Sequence, residues 1–173
     1  MALKDTLEKL QRQRMEQDQW EKQKPELIKA WQDAVQSLFE TIRGYLDEYR
    51  AAGSMSFSES RTDLSEEALG SYSVNILNIL AGPITVLVAP VGTMIVGATG
   101  RVDMYRQGRL GEFERIVLLR QRRSASDDVQ EWKITLPVTA PTLRRRTVSA
   151  PRERVPLTKA TLEQALEFLL NRP

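Results

Sequence analysis

The sequence predicts an α+β fold: a polar helical arm and a long amphipathic helix packed on an antiparallel β-meander, closed by a C-terminal helix. Three observations carry this. Between Glu26 and Ala52, apolar residues recur in alternating steps of three and four, the period of a one-sided helix. After residue 70 the pattern becomes strand-like, with apolar runs and alternations cut by Gly and Pro. No helical pattern separates these runs, so consecutive strands pair as hairpins and the sheet is antiparallel.

The chain opens on a segment rich in Gln, Glu, Lys and Arg, with a thin stripe of Leu3, Leu7 and Leu10 followed by Met15 and Trp20. It reads as a mostly solvated helix. Pro25 suits the first turn of a second helix, where a missing N–H costs nothing, so residues 1–24 form the arm and the domain spans 25–173. In the second helix Ile28, Trp31, Val35, Leu38, Ile42, Tyr45 and Tyr49 line one face, with Phe39 beside them, and Gly53 supplies the stop. At 1.5 Å per residue that helix is roughly 40 Å long, and its length of only about three to four heptads favours lying diagonally across a sheet over a self-pairing coiled coil.

From Ala68 to Gly100 the chain runs 33 residues without a charge, long enough to span a bilayer. Asn75, Asn78, Pro83, Pro90 and the glycines at 82, 92 and 97 divide it into strand-sized pieces. The expected strands are Ser71–Leu80, Ile84–Ala89 and Thr93–Ala98, followed by one around Val102 and Met104, one over Phe113–Arg120, and one in which Trp132, Ile134, Leu136 and Val138 alternate with polar residues. The stretch "VTAPTLRRRTVSAPRERVP", Val138 to Pro156, reads as extended or disordered, and residues 139–157 form the expected Arg-rich loop. Thr158 then caps a last helix with Leu162, Ala165, Leu166 and Leu169 on one face.

The motif nearest to chemistry is "GATG", Gly97 to Gly100. It resembles the phosphate loop of the atypical short-chain dehydrogenases and epimerases, which would imply a strand–loop–helix unit holding a dinucleotide. Their third glycine falls here at Asp103, and "VDMYRQGRLGE" alternates rather than forming a helix. The four residues also resemble the Gly-x-x-Gly clamp of KH domains, which joins two helices, whereas both flanks here read as strands. The residues themselves read as a turn in which Gly97 or Gly100 takes positive φ.

Composition narrows the chemistry further. With 173 residues, 41% hydrophobic and 28% charged, the chain suits one folded domain with an arm. It contains no Cys and no His, which excludes disulfides, thiolate nucleophiles, Ser-His-Asp triads and Cys/His zinc sites. The Asp127-Asp128 doublet reads as a solvated loop rather than a metal site, and no catalytic, cofactor-binding or metal-binding residue is assigned. The first residues carry charges and no apolar core, unlike a secretory leader, so the expected location is cytoplasmic rather than membrane.

Charge is segregated. Residues 1–80 hold 10 basic and 14 acidic side chains, and residues 81–173 hold 15 and 9. Arg144, Arg145, Arg146, Arg152 and Arg154, with Arg120, Arg122 and Arg123, form the one chemical concentration and the expected partner-binding surface. The sequence thus favours a non-enzymatic interaction or adaptor protein that binds a protein partner or assembles as a homo-oligomer. The alternatives are an Arg-dependent nucleic-acid binder and a carrier of an apolar ligand between helix and sheet. Against nucleic acid stand the lack of aromatics among the arginines and a net charge of only +2.

Overall fold

A computed structural model describes residues 2–93, 95, 97–109, 114–137 and 152–171, with only the backbone of Arg152. Helix α1 (Ala2–Tyr45) is followed by the short α2 (Asp47–Ala51), by seven strands, β1 (Ser56–Glu66), β2 (Gly70–Ala81), β3 (Ile84–Gly92), β4 (Gly100–Arg106), β5 (Arg115–Ser124), β6 (Asp127–Pro137) and β7 (Arg152–Pro156), and by α3 (Lys159–Leu170). The strands form one antiparallel sheet in sequence order. The α+β fold class read from the sequence is the one observed.

The expected break at Pro25 does not occur, and α1 runs unbroken through it. Proline there cannot donate to the Glu21 carbonyl, so one rung is missing. Packing on both sides holds the axis: the Trp20 indole N–H donates to the Ala68 carbonyl at 3.3 Å, and Trp31 is 2% exposed in the core. The helix instead ends at Tyr45, and Leu46, fully buried, joins it to α2 before Gly53.

One face of the sheet carries the core. Val86 and Val88, Val102 and Met104, Ile116 and Leu118, and Ile134 and Leu136 alternate inward against Trp31, Val35, Leu38, Phe39 and Ile42 of α1 and Leu162, Ala165, Leu166 and Leu169 of α3. The expected buried face of α3 is therefore observed, as is its Thr158 cap, whose hydroxyl accepts from the Thr161 N–H at 3.2 Å. Tyr49 and Lys159 tie α2 to α3 through Glu163 and Glu48.

Strand β2 shows how the sheet wraps the helix. Tyr72 and Val74 are buried on one parity and Leu77 and Ile79 on the other, although pairing with β1 keeps one register throughout. Before Leu77, over residues 70–76, the β1–β2 ribbon is not paired with β3, and a free two-stranded ribbon twists more strongly than a full sheet, so its tip turns its other face to α1.

Several strand boundaries differ from expectation, among them that of β5, which runs on past Arg120 to Ser124. Strand β1 has no apolar alternation to announce it: it is an edge strand whose stability comes from pairing in full with β2. Strand β7 lies inside the expected Arg-rich loop, where Val155 pairs opposite Ile134. Strand β3 continues through Pro90 to Gly92, past the point where β2 pairing ends, where a missing donor is tolerated. The expected strand over Thr93–Ala98 is not one: its described residues form a tight turn with an isolated bridge between Ile95 and Ala98. Val138 and residues 139–151 lie outside the described residues.

Candidate functional site

The turn expected at "GATG" is present, and its two glycines serve different purposes. Gly97 has φ +76°, the left-handed conformation, and its carbonyl accepts from the Gln121 side chain at 2.8 Å. Gly100 belongs to β4 and faces the core, where a Cβ would lie 2.2 Å from the six-membered ring of Trp31. The missing side chain lets the indole lie against the sheet, its ring centroid 6.2 Å from that of Trp132.

This places a cavity of about 540 Å³ at the end of the helix–sheet layer, between the Leu27–Trp31 turn of α1 and the 93–99 turn. Its walls are Leu27, Ala30, Trp31, Leu69, Ile95 and Ala98, with Thr93, Thr99 and Arg120 as the polar members. A network on the β1–β2 ribbon braces one side. The Glu66 carboxylate accepts from the Thr93 N–H at 3.1 Å, from the Thr93 hydroxyl at 3.0 Å and from the Tyr72 hydroxyl. Burial, and then the Glu66 carboxylate, hold the Tyr72 phenol well above its ordinary range. Thr99 is also engaged, donating its hydroxyl to Gln130 at 2.7 Å, while its N–H donates to the Arg120 carbonyl at 2.7 Å.

Arg120 is the charged member of this cavity. It shares the inward parity of Ile116 and Leu118 and pairs across the sheet with Gly100 and Trp132. Its side chain is half-buried, and burial draws its pKa below the ordinary arginine value. Its guanidinium has no hydrogen bond or ion pair among the described residues.

The other arginines of the expected surface are in different settings. Arg122 and Arg123 sit at the exposed β5–β6 hairpin and face Asp128 at 3.7 Å and Asp127, so the doublet expected to be a solvated loop is their counter-charge. Arg154 is exposed on β7 opposite Thr135. The Arg152 backbone pairs with Pro137, and Arg144, Arg145 and Arg146 lie outside the described residues. The structure thus brings Arg122 and Arg123 together and turns Arg120 inward. In the sequence Arg120, Arg122 and Arg123 read as one charge cluster, and strand parity does not separate Arg120 from Arg122, two residues on. The apolar walls were not legible, since Leu27, Leu69 and Ile95 come from three separate segments.

A second polar cluster lies on the outer face. Asp103, 4% exposed, accepts from Arg101 at 2.7 and 3.0 Å and from Arg115 at 3.0 Å. A carboxylate saturated by two guanidinium groups is a structural ion cluster rather than a poised acid or base. Among the described residues no group of His, Cys, Asp or Glu could hold a metal, and no helix is long and apolar enough to cross a membrane.

The remaining exposed feature is the start of α1. Leu3, Leu7, Leu10 and Met15 are 72%, 51%, 54% and 65% exposed, and residues 2–19 are exposed throughout. Compared with known family models, curated proteins and solved structures, the chain matches none.

Proposed function

We propose that the chain is a non-enzymatic interaction module that docks to a protein partner through the free end of α1. The observation that carries the reading is the exposed stripe of Leu3, Leu7 and Leu10 on a helix that meets its own domain only from Trp20 onward. An amphipathic helix with an uncovered apolar stripe is one half of a helix-in-groove contact. The stripe is short. A stable flat interface takes about 20–30 residues a side, more than the arm offers to a second copy, so a partner with a groove that surrounds the helix fits better than self-pairing. The absence of Cys and His from the whole chain and the absorption of Asp103 into an ion cluster support a binding role over a catalytic one. Arg122 and Arg123 are already matched by carboxylates, which favours a protein over a nucleic-acid phosphate as partner.

The test compares the full chain with Leu7→Glu/Leu10→Glu and with Gln11→Ala/Gln17→Ala after native purification, with cross-links mapped by mass spectrometry. The leucine variant is expected to lose a stoichiometric partner whose cross-links fall on residues 3–15, and the glutamine variant to keep it. Cross-links confined to another face, or a concentration-dependent dimer abolished by the leucine variant, would replace this reading.

A further inference from the structure

We infer that the cavity between the Leu27–Trp31 turn of α1 and the 93–99 turn is a binding site for a medium-chain carboxylate, with Arg120 holding the carboxylate and Leu27, Ala30, Trp31 and Leu69 holding its apolar body. The charge bookkeeping of the sheet points there. Arg43 is matched by Glu59, Arg101 and Arg115 by Asp103, Arg122 by Asp128 and Arg123 by Asp127. Arg120 faces inward on the buried parity of β5 and, among the described residues, is met by no carboxylate, and the described walls around it contain no Asp or Glu. Holding a guanidinium half out of water without a partner carries part of the desolvation cost of a buried charge. A ligand carboxylate would supply the missing half as a paired, two-point hydrogen bond.

The head group is narrowed by the donors still open. Both cavity threonines have their hydroxyls committed, Thr93 to Glu66 and Thr99 to Gln130 and the Arg120 carbonyl. Besides the buried Trp31 indole N–H, which has no partner among the described residues, one guanidinium is the charged donor that remains, which suits a singly charged carboxylate better than a doubly charged phosphate ester. The body is narrowed by the walls. Six of the nine described lining residues are apolar, and about 540 Å³ falls within the size range of small-molecule sites. Trp31, held in place by the absent side chain of Gly100, gives the body a fixed flat wall.

Decanoate at submicellar concentration is the probe, and decanol, which has the same chain without the charge, is its control. Calorimetric titration of the full chain is expected to show saturable 1:1 decanoate binding, with decanol at least tenfold weaker. Arg120→Gln should bring decanoate down to the decanol affinity, Arg120→Lys should retain part of the difference, and Ala30→Trp, which fills the wall, should weaken both probes at least tenfold. Equal affinity for the two probes, an unchanged decanoate affinity in Arg120→Gln, or no saturable binding of decanoate would overturn the assignment. A measurement without ligand tests the premise separately. Arg120→Leu should raise the thermal midpoint, since it removes a half-buried charge unmatched among the described residues, and a lowered midpoint would show that the guanidinium serves the fold itself.

Discussion

Gly97 and Gly100 stand three residues apart and fail for different reasons when a methyl is added. At Gly97 the surroundings are open, and the cost is the left-handed backbone alone, on the order of 1 kcal/mol for Ala. At Gly100 the backbone is ordinary, but the methyl meets a buried indole at 2.2 Å, and overpacking costs about 1–3 kcal/mol. Urea unfolding should therefore rank Gly100→Ala as the less stable of the two, with a shifted Trp fluorescence spectrum that Gly97→Ala lacks. Tyr72 gives a second test. Its folded pKa is raised, so its contribution is complete below the unfolded value of about 10 and is lost as pH rises through the folded one. Across that window the unfolded chain releases a proton that the folded chain keeps, so stability falls by up to about 1.4 kcal/mol per pH unit. Tyr72→Phe should remove that part of the alkaline slope in denaturation curves taken on either side of about pH 10, and an unchanged slope would mean that the phenol ionises freely.

At the scale of elements, α1 and α3 are built by opposite rules. Helix α3 follows local chemistry: Thr158 closes the capping box with Thr161, and the apolar face repeats at helical spacing. Thr158→Ala should cost about 1 kcal/mol, read from the denaturation midpoint. Helix α1 overrides its local signal at Pro25, because Trp20 and Trp31 are anchored on either side. Pro25→Ala restores a rung and removes a ring clash worth up to about 3 kcal/mol, so it should raise both helical ellipticity and the unfolding midpoint. A fall in the midpoint would mean that the proline sets an axis direction the core requires.

For the whole molecule, the consequence is a division of labour along one helix. From Trp20 onward α1 is part of the domain, whereas residues 2–19 are exposed and project roughly 27 Å at 1.5 Å per residue. Deleting residues 2–18 should leave the unfolding free energy within about 0.5 kcal/mol of that of the full chain, as for surface changes generally. The same deletion should shorten the maximum dimension measured by small-angle scattering. A large loss of stability would place the arm against the domain and remove it as a docking element.

Alternation and helical spacing determined the α+β class, the buried faces of β4, β5, β6 and α3, and the turn at Gly97, because each depends on neighbours within a few residues. Strands β1 and β7 were not legible, since Ser56–Glu66 has no buried face of its own and Arg152–Pro156 is short. Both exist because β2 and β6 offer them a paired edge. The continuity of α1 through Pro25 and the change of buried parity along β2 were decided by packing and ribbon twist. The separation of Arg120 from Arg122 and Arg123 was decided the same way: all three read as one charge cluster in the chain. Only the folded sheet, with Gly100 beside Trp31, turns the first toward an apolar cavity while the other two meet Asp128 and Asp127 at the surface.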